Sequence, residues 1–425
     1  MSIAAWWRAA AARCLPAPDG VSVSRAELVA KVKVMRAKRA AEAAAALPAA
    51  SVDAAIQDNL MGADASKPRV SPEQEAQWRE LRGHELEPAL ESGAIAMLDG
   101  RWLVACAERG ERIRRRQDLP PEAFISLEEL KVACPEYGPL PIICLSYAWL
   151  HPDHPDPKGA QLAVVARALK AMLSEGRWGI FWDYGSLLQH ERTEAETELF
   201  KQGLGFLGSF YSHPQTTVFR LTTFPAGYPE GYDLPSAANV AAYPDRGWCF
   251  TESSWATMTK GSHNSLDLGR LTGDERRYFD VVNSCRTGGS RPPPLLPERF
   301  AERLEEKRFT NGKDDKPLVA GLYKQAFEEE FGKAEGLRYR NLGWGDAEAI
   351  QISELLASGA APKLWRLELN GNQIGDEGMK ALADAIAGGA APALRVLSLG
   401  GNKASQAAKD AITSAADERS IYCIM

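Results

Sequence analysis

From residue 139 onward the chain alternates two kinds of apolar pattern. Residues 141–149 (PIICLSYAW) form a continuous apolar run rich in β-formers, as expected of a strand covered on both faces. Residues 159–173 instead set Leu162, Val165, Leu169 and Met172 at helical spacing, and Gly176 ends that helix. A second buried strand is expected at 178–182 (WGIFW), closing on Asp183, then a helix over 194–211 and a third strand over 216–222 (TTVFRLT). A Pro/Gly/Tyr loop leads to 243–257, YPDRGWCFTESSWAT, which reads as a helix capped by Asp245. Strand and helix alternating three times within about 120 residues predicts a doubly wound parallel sheet of the α/β class. Functional groups in such sheets gather at the carboxyl ends of the strands, where the strand order reverses.

Upstream and downstream the pattern is looser. Residues 24–46 contain no Gly or Pro and predict a helix, and 49–72 read as a linker. A short helix is expected over 73–86, a strand over 101–109 (RWLVACAER), and a solvated charge cluster at 112–116 (RIRRR). After Lys260 the periodicity fades; 290–297 (SRPPPLLP) is a connector, and helices are expected at 297–307 and 316–331.

A repeat begins at Leu364. Leu364, Leu367, Leu369, Asn372 and Ile374 fit LxxLxLxxNxI, and Leu394, Leu397, Leu399 and Asn402 repeat it 30 residues on, with Ala404 in place of the isoleucine. The pattern resembles leucine-rich repeats of the helix-bearing kind. A weaker copy starts at Leu337, where Arg340 and Gly345 break the pattern. Two or three such units cannot bury a core alone, so the array should pack on the α/β part or on a partner. The implied division is 1–72 as an Ala-rich helical and linker region, 73–335 as the α/β domain with its lead-in, and 336–425 as the repeat segment.

Composition narrows the function classes. A net charge of −6 gives no electrostatic reason to expect nucleic-acid binding. Seven cysteines with no CxxC argue against a disulfide framework and a zinc site of the usual spacing; Cys144 and Cys249 read as small buried hydrophobes. No apolar run reaches the ~18–20 residues that span a bilayer, and Cys423 stands third from the end where prenylation needs the fourth, so no membrane attachment is expected. Residues 1–50 are locally basic, which is permissive for organelle targeting, but a solvated Ala-rich helix is the favoured account and a cytoplasmic location is expected. His151, His154, Asp153 and Asp156 in HPDHPDP lack an evident fourth ligand, and no metal is expected. Neither GxGxxG nor a Walker loop occurs.

Chemistry centres on Glu252, a single acid in an aromatic and small-residue segment. On a helix Trp248, Glu252 and Trp255 share one face. Such a group is either a reactive carboxylate or a structural one paired with a neighbour such as Arg246. Three segments, LSYAW at 145–149, FWDYGSLLQ at 181–189 and RGWCFTE at 246–252, resemble in order and spacing the three signature blocks of the heterokaryon-incompatibility (HET) domain. Ser186, Leu188 and Leu150 stand where that pattern has Cys, Asn and Gly. The third block is also similar to the WCxxE segment of Toll/interleukin-receptor-like (TIR) domains.

The resemblance implies a flavodoxin-like fold and, through TIR enzymes, an NAD-cleaving activity with Glu252 as the catalytic group. NAD would be a substrate; no cofactor is implied. A carboxylate near the ribose hydroxyls would stabilise the oxocarbenium-like state of nicotinamide loss. Trp149, Trp182 or Trp248 could stack a ring, and Ser146, Tyr147 or Asp183 could position the ribose. Burial would push Glu252 toward the neutral acid, so its anion needs donors, for which Arg246, Ser146 and Tyr147 are candidates. The resulting expectation is a signalling or immune-type protein with a protein partner on the repeats and self-association of the α/β domain. The alternative is a non-enzymatic interaction scaffold.

Overall fold

The computed structural model describes residues 68–425 apart from 174–175, 237, 287–290 and 311–314. The helix, linker and targeting expectations for the first 67 residues lie outside the described residues. What is described is a mixed α/β structure with 14 α-helices and two sheets.

The larger sheet has six strands: β1 (Met97–Asp99), β2 (Phe124–Ile125), β3 (Ile142–Tyr147), β4 (Gly179–Phe181), β5 (Thr217–Leu221) and β6 (Ser265–Asp267), in the order β2-β1-β4-β3-β5-β6. β4, β3, β5 and β6 are parallel, while β1 runs antiparallel to both β4 and β2. The continuous apolar run makes β3 the central strand, buried at every position. Its alternation sends Ile143, Leu145 and Tyr147 into one core with the helix Ala160–Met172, and Ile142 and Cys144 into another with the helix Glu194–Ser212. Ser146 is thereby left as a polar side chain on the second face of a fully covered strand. The chain leaves β3 toward β4 and returns to β5 on the opposite side, so the strand order reverses between β3 and β5.

Several expectations are corrected. The stretch read as a strand over 101–109 is the helix Gly100–Glu108, because Asp99 accepts a hydrogen bond from the Arg101 amide at 2.7 Å and starts it. Gly100, Leu103 and Val104 then fall on one buried face at helical spacing, a period that the apolar run concealed. The helix over 73–86 is cut short as Pro72–Glu80, since Arg82 turns the backbone to φ 64°. Asp245 does not cap the helix that carries Glu252; it sits in the one-turn helix Tyr243–Asp245. That helix is Gly247–Trp255, with no side-chain cap. Gly247 donates instead to the Arg308 carbonyl at 2.9 Å, and a Cβ there would lie 2.0 Å from the Phe309 ring. β6 and the helix Tyr278–Cys285 lie in the region where periodicity faded.

The second sheet holds β7 (Gly336–Arg338), β8 (Arg366–Glu368), β9 (Val396–Ser398) and β10 (Tyr422–Ile424), all parallel, in the order β10-β9-β8-β7. Helices Asp346–Ala357, Asp376–Ala387 and Gln406–Glu418 connect them. Asn372 explains its own place in the motif. It accepts from the Leu342 and Trp344 amides at 2.8 and 3.3 Å and donates to the Tyr339 and Leu369 carbonyls at 2.7 and 2.8 Å, closing the turn of one unit onto the next. Asn402 accepts from Ile374 and donates to Leu369 and Leu399. The weak copy at Leu337 is a full unit, because Arg340 extends from it to Glu368 at 2.6 Å and Gly345 precedes its helix.

The array does not stand apart. Leu337, Tyr339 and Trp344 belong to the same apolar core as Met258, Leu295 and Tyr323. Tyr339 donates its hydroxyl to the Met258 carbonyl, and the Trp344 indole donates to the Arg291 carbonyl at 2.7 Å.

Candidate functional site

Glu252 lies under the carboxyl end of β3, with 9% of the residue exposed. Ser146 Oγ donates to Glu252 Oε2 at 2.6 Å, Tyr243 hydroxyl meets Ser146 Oγ at 2.6 Å, and Ser253 Oγ meets the same hydroxyl at 2.9 Å. Three hydroxyls thus form a chain ending on one carboxyl group. Burial raises the Glu252 pKa well above the ordinary carboxylate range; Ser146 and Tyr211 oppose this, and the charge of Asp183 adds to it. Burial thus favours the protonated form of Glu252 over its anion.

A second carboxyl stands at the end of β4. Asp183 accepts from the Tyr147 hydroxyl, from Trp149 Nε1 at 3.0 Å and from the Tyr184 amide at 2.6 Å. Burial raises its pKa as well, against the pull of those three donors. Because Ser146 and Tyr147 are consecutive on β3, they point to opposite faces. One residue serves Glu252 and the next serves Asp183.

Of the donors expected to serve Glu252, Ser146 does so, whereas Tyr147 is committed to Asp183. Arg246 does not pair with Glu252, which corrects both the activating and the ion-pair expectation. Its guanidinium donates to the Ala241, Trp149 and Asn239 carbonyls at 2.8, 2.6 and 2.6 Å and to the Tyr228 hydroxyl at 3.2 Å. From the N-cap position it clamps the loop before its helix to the segment that follows β3. Trp248 is also elsewhere, donating to Asp315 Oδ2 at 3.2 Å and standing edge-on to Phe309. Trp182 is fully buried and edge-on to Tyr147, leaving no face for a ligand ring. Trp149 borders a shallow cleft with His151, Pro152, Asn239, Arg246 and Thr310, which Glu252 does not line.

The other candidates have structural roles. His151 and His154 accept from the Asp153 and Asp156 amides, and Asp156 accepts from Leu162 at the start of its helix. No group of three or more possible metal ligands occurs among the described residues. Arg116, expected in a solvated cluster, instead holds the carbonyls of Gly93, Ala94 and Ser186. Cys249 is packed, its Sγ 3.3 Å from the Tyr147 carbonyl. Two charged residues escaped the sequence reading. Lys260 is fully buried against Thr216 and the His213 carbonyl, and burial lowers its pKa to about 7. Arg220 is buried in β5; the signal for it was a basic residue inside a strand whose neighbours are all apolar or small.

Comparison with known families matches residues 361–383 to the Leucine Rich repeat family and finds no HET or TIR domain. Comparison with curated proteins finds no match. The repeat match fits a protein-interaction role. No helix among the described residues is long and apolar enough to cross a membrane.

Proposed function

We propose that the protein is an interaction protein that binds a protein partner on the strand face of its repeat array, with the α/β domain as the body to which binding is reported. The observation that carries this reading is the four-strand parallel ladder, beside which Trp365 and Tyr422 stand 42% and 64% exposed. Large aromatic side chains left in solvent next to a regular sheet are the residue types that dominate protein contacts. Photo-crosslinking from positions 365 and 422 in cells, followed by identification of the adducts, tests it. A common adduct at both positions that disappears when the other aromatic is removed, Tyr422→Ala for the probe at 365 and Trp365→Ala for the probe at 422, supports the reading; adducts no different from those at an exposed helix position such as Lys380 would sink it.

NAD cleavage at Glu252 is the second reading. What supports it is the order β4-β3-β5-β6 of the parallel strands, the order of a flavodoxin-like sheet, with Glu252, Ser146 and Asp183 gathered at its carboxyl end. What opposes it is the burial of Glu252, which raises its pKa and disfavours the anion. Catalysis on this reading therefore requires an opening that hydrates the carboxyl, such as self-association of the domain, and ionised Glu252 would then face the ribose while nicotinamide leaves. Nicotinamide release is to be followed with protein at dilute and at self-associating concentration. Release that rises with concentration and vanishes in Glu252→Gln supports cleavage. Equal release from both proteins, or none from either, leaves the scaffold.

A further inference from the structure

Two guanidinium groups are enclosed near this site with no ion pair among the described residues; Asp267, in register with Arg220 on β6, accepts instead from the Thr222 hydroxyl and the Gly269 amide. Arg220 is the penultimate residue of β5 and is paired in register with Ser146 of β3. It is 8% exposed, and its Nε and Nη2 have no hydrogen-bond partner among the described residues. Arg291 is 2% exposed; its Nη2 donates to the Thr257 carbonyl at 2.6 Å and its guanidinium carbon lies 5.2 Å from the Tyr339 ring centre. Its Nε and Nη1 are also unpartnered among the described residues.

The two groups act on one another and on the hydroxyl chain of Glu252. Burial, with the charge of Arg220 added, lowers the Arg291 pKa to about 10, and the Arg220 charge also bears on Tyr243. Burying a cation is costly unless it is paired and hydrogen-bonded. Ordinary practice in proteins is to place a carboxylate there, and the nearest buried carboxyl of the hydroxyl chain, Glu252, is itself pushed to the neutral form. The position has a further property. Arg220 and Ser146 flank the point where strand order reverses, the place at which parallel sheets take up ligands. A guanidinium presents its N–H groups in a planar fork that matches a tetrahedral oxyanion.

We propose that this is a phosphate-binding site at the switch point of the sheet, anchored by Arg220 with Arg291 as its second positive charge. The ligand class is a phosphate group, either free or carried on a nucleotide. The site does not depend on whether Glu252 cleaves anything. Ser146 is in register with Arg220, and its hydroxyl, like that of Tyr243, belongs to the chain that ends on Glu252.

Calorimetric titration of the full chain with inorganic phosphate and with ADP, at constant ionic strength in chloride, tests it. Saturable binding of either probe that weakens tenfold or more in Arg220→Gln, and less in Arg220→Lys, is expected. Comparable affinity for the two probes identifies free phosphate; ADP tighter by tenfold or more identifies a nucleotide. Absence of saturable binding of both probes to the unaltered chain overturns the proposal, as does unchanged affinity in Arg220→Gln. Should the Arg220 variants not fold, Arg291→Gln replaces them under the same criterion, and the titration of the unaltered chain remains decisive by itself.

Discussion

The repeat sheet is wholly parallel and the larger sheet is parallel in four of its six strands, yet they are built by opposite strategies. In the repeat sheet every strand is three residues long and is joined to its neighbour through one helix and one recurring turn. The asparagine bonds that join one unit to the next there span about one repeat. In the larger sheet the central strand is six residues long, and its polar residue is completed by side chains 97 and 106 positions away, Tyr243 and Glu252. A periodic sheet spreads its specification along the chain, whereas the larger sheet concentrates it in a few long-range meetings.

Asn372 offers the strongest way to break this comparison. Its four hydrogen bonds tie two units, so Asn372→Ala should cost roughly 3–5 kcal/mol, the sum expected when several buried backbone groups lose their partner. Asn402→Ala removes three bonds from a half-buried residue and should cost about half as much. Urea unfolding measures both. Equal losses would mean that the ladder is not built unit on unit.

Glu252 sharpens the comparison from the other side. Its folded-state pKa is raised above the unfolded value of 4.5. Below the unfolded value both states carry the proton and the hydrogen-bonded acid contributes fully to stability. As pH rises toward the raised folded value, the unfolded state is already ionised and that contribution is progressively lost. Glu252→Gln keeps the shape and the neutral charge, and so should stay within about 1 kcal/mol of the unaltered protein near pH 4 and gain on it as pH rises. Melting temperature against pH for the two proteins gives the answer; parallel curves would mean that Glu252 is ionised in the folded state.

The smallest effect is expected at Trp365, which is exposed beside β8. Trp365→Ala should change stability by less than about 0.5 kcal/mol while removing the crosslinked adduct. A large loss in urea unfolding would place Trp365 in the fold instead of the recognition face.

What could be read from the chain follows the same division. The repeat was legible because leucine and asparagine recur at fixed spacing for one mechanical reason each, burial and turn closure. The buried strands β3, β4 and β5 were legible from apolar runs bounded by turn residues. The helix Gly100–Glu108 was not, since its start depends on one Asp99 hydrogen bond that an apolar count ignores. Nor was β6, whose three residues, Ser265, Leu266 and Asp267, have no pattern until β5 lies beside them. At the site, the strand ends bring Ser146 into hydrogen-bond contact with Glu252, while Asp183 is held by Tyr147 and Trp149. The places of Arg246 and Trp248 were not legible, because neighbouring sequence says nothing about where a long side chain turns. Their partners, Asn239, Tyr228 and Asp315, come from loops and from another helix.

The joint made by Tyr339 and Trp344 has a mechanical consequence. Both side chains reach from the first repeat to carbonyls of the α/β part, at Met258 and Arg291. Met258 lies three residues beyond Trp255, the last residue of the helix that carries Glu252. The first repeat and that helix end therefore share one core, so a substitution that loosens Tyr339 or Trp344 also loosens the anchor of the helix that carries Glu252.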